Sequence, residues 1–173
     1  LTFPERRNAR QGEPLVDGGF YTQEDIKEIV TYASNRQIEV IPEIAMPGHS
    51  NAALAAYPLL ACPVIDKYIG VVPGLGADHT RFAYCAGNED VFTFLQHVID
   101  EVVELFPSRF IHLGGDAIHN THWEECPLCQ ERMKKEDLGG ENDLLGYFMR
   151  RIDSYVRSKG RKVRGWEEIM EAN

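Results

Sequence analysis

Arg109-Phe110-Ile111-His112-Leu113-Gly114-Gly115-Asp116-Ala117 is the stretch whose reading decides the fold. A short β-type run ends in two glycines, which let the backbone turn sharply without a Cβ penalty. The turn leaves a carboxylate, Asp116, at the exit of a buried strand, with His112 just behind it. A carboxylate in that place is costly to bury unless it is paired or has chemistry to perform. Carboxylates at strand ends also cap helices or pair with arginines, so Asp116 alone does not specify a site.

Strand and helix patterns alternate on both sides of this stretch. Thr22 reads as an N-cap with Asp25 three residues on, and Ile26, Ile29, Val30 and Ala33 repeat at helical spacing, which predicts a helix over about 23–35. Ile38-Glu39-Val40-Ile41 reads as a strand stopped by Pro42, and residues 51–57 as a short alanine-rich helix. Residues 58–87 have no clear period and read as a long loop. Asn88 caps a helix whose stripe is Val91, Phe94, Leu95, Val98, Val102 and Phe106, ended by Pro107. Further helices are expected near 127–137 and 142–158, the latter closed by Gly160, followed by a short strand at Lys162-Val163-Arg164.

Such alternation implies a parallel sheet with right-handed crossovers. The polar residues then gather on one rim. Glu43 and Pro47-Gly48-His49 follow the first strand, His112 and Asp116 the second, and Trp166-Glu167-Glu168 the third. Active sites of (β/α) barrels and open α/β sheets lie at these carboxyl ends.

Composition narrows the functional classes. The 173 residues carry 18 basic and 27 acidic side chains, a formal net charge of −9, and no basic run with interleaved aromatics. Nucleic acid is therefore not an expected partner. No apolar run approaches the roughly 20 residues of a membrane span, and no signal-peptide pattern opens the chain, so no membrane association is expected. Four cysteines (Cys62, Cys85, Cys126, Cys129) are too few and too scattered for a disulfide scaffold. His119, His122, Cys126 and Cys129 have side chains of the kinds zinc prefers, at intervals shorter than in a usual zinc finger.

Four ordered blocks carry a resemblance. They are Ile41-Pro42-Glu43-Ile44-Ala45-Met46-Pro47-Gly48-His49-Ser50, Tyr84-Cys85-Ala86-Gly87-Asn88-Glu89, His112-Leu113-Gly114-Gly115-Asp116 and Gly165-Trp166-Glu167-Glu168. In order and spacing the chain resembles the catalytic barrel of family 20 glycoside hydrolases, the β-N-acetylhexosaminidases. The resemblance implies a partial (β/α)8 barrel in which residues 1–173 form one segment carrying the central strands. A whole barrel needs eight strands and about 250 residues, so unpaired sheet edges open to self-association are expected.

The family likeness also implies a substrate-assisted retaining mechanism acting on terminal β-linked N-acetylglucosamine or N-acetylgalactosamine, with no cofactor and no metal. Asp116 matches the aspartate that holds the acetamide N–H of the sugar. Ala117 occupies the position of the family's general-acid glutamate, and a methyl group cannot transfer a proton. His49 matches a histidine that orients that acid through an upstream aspartate. Trp166 matches one wall of the acetamide pocket, with Glu168 and His112 as further candidate substrate-binding residues, while Glu43, and His112 in turn, read more as supporting groups than as direct ligands. Two readings follow: a hydrolase segment inactive through Ala117, or a sugar-binding protein in which recognition alone survives.

Overall fold

The computed structural model describes residues 20–66, 69, 82–116 and 121–167. The chain divides into two compact units, Leu1–Glu39 and Val40–Asn173. In the first, helix α1 spans Gln23–Ser34 and begins with the expected capping box. The Asp25 backbone N–H donates to Thr22 Oγ1 at 3.1 Å, and the Thr22 N–H donates back to Asp25 Oδ2 at 2.8 Å. Two orphan donors of the first turn are satisfied reciprocally. Gln37, in the left-handed region at φ 59°, closes the turn after α1.

The second unit holds α2 (Asn51–Ala56), a 3-10 turn (Pro58–Leu60), α3 (Glu89–Leu105), β1 (Phe110–His112), α4 (Thr121–Glu125), α5 (Pro127–Lys135), α6 (Glu141–Ser158) and β2 (Lys162–Arg164). β1 and β2 run parallel in the register Phe110↔Lys162, Ile111↔Val163 and His112↔Arg164. On the other flank of β1 the chain around Glu43 pairs in parallel with His112. His112 N–H donates to Pro42 O, Ile44 N–H to His112 O and Met46 N–H to Leu113 O, each at 2.9 Å. β1 is thus the middle of three parallel segments, and their carboxyl ends lie side by side.

The first of these segments differs from the sequence expectation. Pairing falls on residues 42–46 rather than on 38–41. Pro42 has no N–H to give and contributes only its carbonyl, so the ladder on that side starts late and stays short. The β-branched run before it reads as a strand from composition but makes no described ladder.

The core of the second unit lies between the sheet and its helices. α3 buries Val91, Phe92, Leu95, Ile99 and Val102, so its inner face is turned from the expected stripe, and Phe94 and Val98 sit at its margin. Its N-cap is Asn88, whose side chain accepts from the Asp90 N–H at 2.9 Å. α6 buries Leu144, Leu145, Phe148, Met149, Ile152 and Val156. The rings of Phe92 and Phe148 meet at 5.1 Å where α3 and α6 pack. Burial of such side chains is worth about 1.5–3 kcal/mol each, and this fixes the helices behind the strands.

Candidate active site at the carboxyl ends of the strands

Gly114 and Gly115 take φ values of +71° and +95° at the exit of β1. A Cβ on Gly114 would lie 2.9 Å from Ala45 Cα and 3.0 Å from Ala45 Cβ. Only glycine meets both demands, the left-handed turn and the close approach of the neighbouring segment. The turn delivers Asp116 to the rim with its side chain 29% exposed.

Opposite it stands His49. Its backbone is also left-handed, at φ 53°. The loop that carries it is braced by Ser50 Oγ, which donates to Pro47 O at 3.0 Å and to Phe82 O at 3.2 Å. Tyr84 N–H donates to Pro47 O at 3.0 Å. His49 Nε2 reaches Asp116 Oδ2 at 3.1 Å. The pair joins two loops 67 residues apart in sequence. His49 therefore meets the aspartate directly, whereas the family pattern has it orienting the acid through an upstream partner. Among the described residues, Asp116 Oδ1 has no bond and remains available to a ligand donor.

On the same rim, Glu43, His112 and Trp166 form a row across three adjacent segments. Gly114 N–H donates to His112 Nδ1 at 3.1 Å, and the same nitrogen lies 3.5 Å from Glu43 Oε1. The Trp166 ring meets His112 edge-on, with centroids 4.8 Å apart. Its Nε1–H donates to Glu43 Oε1 at 3.2 Å. Backbone pairing continues past β2, with Trp166 N–H donating to Gly114 O at 2.9 Å. The indole is 49% exposed rather than a buried core side chain. It also lines an open groove of about 500 Å³ with Gly146, Met149, Arg150, Asp153 and Arg164, a groove whose wall does not include Asp116.

Asp116, His49, His112 and Trp166 are thus gathered on one rim, as the sequence suggested. Ala117 and Glu168 lie outside the described residues. Ser50, which braces the His49 loop, carries no signal that sequence reasoning could use. Neither does the partnership of Glu43 with the indole.

Over residues 5–173 the chain matches glycosyl hydrolase family 20, catalytic domain. It belongs to that family. The beta-hexosaminidase of Porphyromonas gingivalis is 45% identical over 161 residues, covering 93% of this chain and 20% of its own. The beta-hexosaminidase of Vibrio furnissii is 37% identical over 162 residues, covering 90% of this chain and 25% of its own. Among solved structures, the beta-N-acetylhexosaminidase from Bacteroides fragilis superposes with a TM-score of 0.79 at 40% identity, over 94% of this chain and 30% of that one. The exo beta-N-acetylglucosaminidase from Vibrio harveyi, solved with N-acetylglucosamine, gives 0.78 at 31% identity, over 90% and 24%. This family 20 chain therefore spans about a fifth to a third of the length of the curated relatives it matches. The barrel of its relatives accounts for the parallel strands and for the polar rim at their carboxyl ends.

Proposed function

We propose that the whole protein recognises terminal β-linked N-acetylglucosamine or N-acetylgalactosamine at this rim, as a β-N-acetylhexosaminidase-type site in which proton transfer is disabled. The observation that carries this reading is the Asp116 carboxylate at the exit of β1, held through Oδ2 by His49 and with Oδ1 unbonded among the described residues. In a substrate-assisted reaction the 2-acetamido oxygen attacks C1, and the bond from C1 to the leaving oxygen breaks. Positive charge grows on the acetamide as it does so. Asp116 Oδ1 accepts the acetamide N–H and stabilises that charge more in the transition state than in the ground state. His49 keeps the carboxylate from rotating away. Trp166, half-exposed and pinned by Glu43, supplies an apolar face suited to the acetamide methyl group.

The departing oxygen needs a proton, and the residue next to Asp116 is Ala117. General acid–base catalysis is worth about 10²–10⁴ in rate, so binding survives where turnover of an ordinary sugar leaving group does not. The sugar-binding reading is favoured by this one position. The test compares the whole protein with its Ala117→Glu variant on chitobiose and on an aryl glycoside whose leaving group needs little protonation. Chitobiose turnover should rise by about 10²–10⁴ and aryl glycoside turnover by much less. Chitobiose hydrolysis at an ordinary glycosidase rate with Ala117 in place would overturn the proposal.

A further inference from the structure

All four cysteines of the chain meet at one buried point. Cys62 is 2% exposed, and Cys85, Cys126 and Cys129 are 0% exposed. Their sulfurs all lie within 4.8 Å of one another. Cys62 and Cys129 are separated by 3.9 Å, and Cys85 stands 3.7 Å from both Cys126 and Cys129. A disulfide requires about 2.05 Å, so these are not bridges, and the four side chains are free thiols. A tetrahedron of sulfurs around zinc, with Zn–S bonds of about 2.3 Å, has edges of about 3.8 Å. These three separations match that edge, and the other three stay within 4.8 Å.

The backbone is shaped around the same point. Cys126 is the N-cap of α5, Pro127 opens the helix and Cys129 lies in its first turn, where the positive end of the helix favours thiolate. Cys85 begins the turn into α3, and the Gly87 N–H donates to its sulfur. A Cβ on Gly87 would fall 2.1 Å from Leu128 C and 2.5 Å from Cys129 N, so the two cysteine-bearing turns touch backbone to backbone. Cys62 comes from just after the 3-10 turn Pro58–Leu60. The set differs from the His119, His122, Cys126 and Cys129 grouping that spacing suggests. His119 is outside the described residues, and His122 stacks on Phe82 with ring centroids 5.6 Å apart.

We propose that Cys62, Cys85, Cys126 and Cys129 bind a structural zinc ion. Binding forms four Zn–S bonds and releases the thiol protons to solvent. Four sulfurs close the coordination shell and leave no position for water or substrate, so the ion staples rather than catalyses. It ties the loop between α2 and α3 to the start of α5. That loop also braces His49, through Phe82 O to Ser50 and Tyr84 N–H to Pro47. The staple thus holds the wall on which the His49–Asp116 pair depends, yet its existence stands apart from any activity at that rim.

The experiment is elemental analysis of the whole protein, expressed with zinc in the medium and desalted without chelator. One zinc per chain is expected, released in step with mercurial titration of the cysteines, with no loss of hydrogens in the denatured mass. Replacement by cobalt(II) should give the intense visible bands of a tetrahedral thiolate site, and Cys85→Ser should abolish them. Should Cys85→Ser fail to fold, the cobalt spectrum of the unaltered protein decides. Metal-free protein with four titratable thiols, a mass lacking two hydrogens per bridge, iron in place of zinc, or bound cobalt without tetrahedral bands would each overturn the proposal.

Discussion

His49 Nε2 lies 3.1 Å from Asp116 Oδ2, and this contact takes up one oxygen of the carboxylate while the other has no bond among the described residues. The pair is partly solvated, with side-chain exposures of 40% and 29%. Solvated pairs of this kind contribute about 0–1 kcal/mol to stability. Its meaning is therefore geometric, since it sets the direction in which Asp116 presents Oδ1.

In the whole protein carrying Ala117→Glu, Asp116→Asn preserves shape and removes charge. Single-turnover hydrolysis should fall by about 10²–10³, the usual cost of losing one group that stabilises a developing charge. The melting temperature should barely move. A double-mutant cycle with His49→Ala should then show a small coupling in stability and a large one in rate. Unchanged turnover with a collapsed melting point would assign Asp116 to the scaffold.

Trp166→Ala should weaken N-acetylglucosamine binding by about 1–2 kcal/mol, through lost contact with a rigid aromatic face. Trp166→Phe should recover part of that loss, because it keeps a ring but gives up the bond to Glu43. Calorimetric titration of the whole protein measures both. Equal affinity in all three forms would remove the indole from the binding site.

Gly114→Ala should destabilise the protein by about 2–4 kcal/mol, since left-handed strain and a backbone clash with Ala45 act together. Gly160→Ala serves as the control. Its φ is also positive, at 73°, but nothing lies within 4 Å of an added Cβ. It should lose only the strain contribution. Equal losses in denaturant melts would show that the close approach to Ala45 relaxes at no cost.

Glu89, at the start of α3, is held by Arg151 through two bonds of 2.8 Å and by Arg132. Hydrogen bonding from Arg151, with further help from Arg132, lowers its pKa to about 2 against the pull of partial burial. A depressed carboxylate pKa contributes stability that is complete above the unfolded value of about 4.3 and is lost as pH falls toward the folded one. Melting temperature should therefore drop between about pH 4.3 and 2, and Glu89→Gln should flatten that decline. The variant should also cost about 1–3 kcal/mol at neutral pH, because Arg132, only 9% exposed, loses a charged partner. A variant whose acid limb matches that of the unaltered protein would show that the clamp contributes nothing.

Local chemistry alone determined most of the secondary structure. Thr22 and Asn88 announce their helices because their side chains satisfy backbone donors within three residues. The long stripes of α3 and α6 announce themselves by period, and Gly114-Gly115 by the conformation only glycine takes freely. Short elements escape such reading. α4 and the 3-10 turn have too few residues to show a period, and the run before Pro42 has strand composition without a described ladder. The family and the rim position of Asp116, His112 and Trp166 are legible because they lie in contiguous blocks next to strands. What only the tertiary structure decided is who meets whom across the chain. His49 finds Asp116 across 67 residues, Trp166 finds Glu43 across 123, and Cys62 and Cys85 join the Cys126–Cys129 turn. These partnerships depend on how three parallel segments and their loops are set side by side, and no local propensity or spacing in the sequence encodes a distance between residues so far apart.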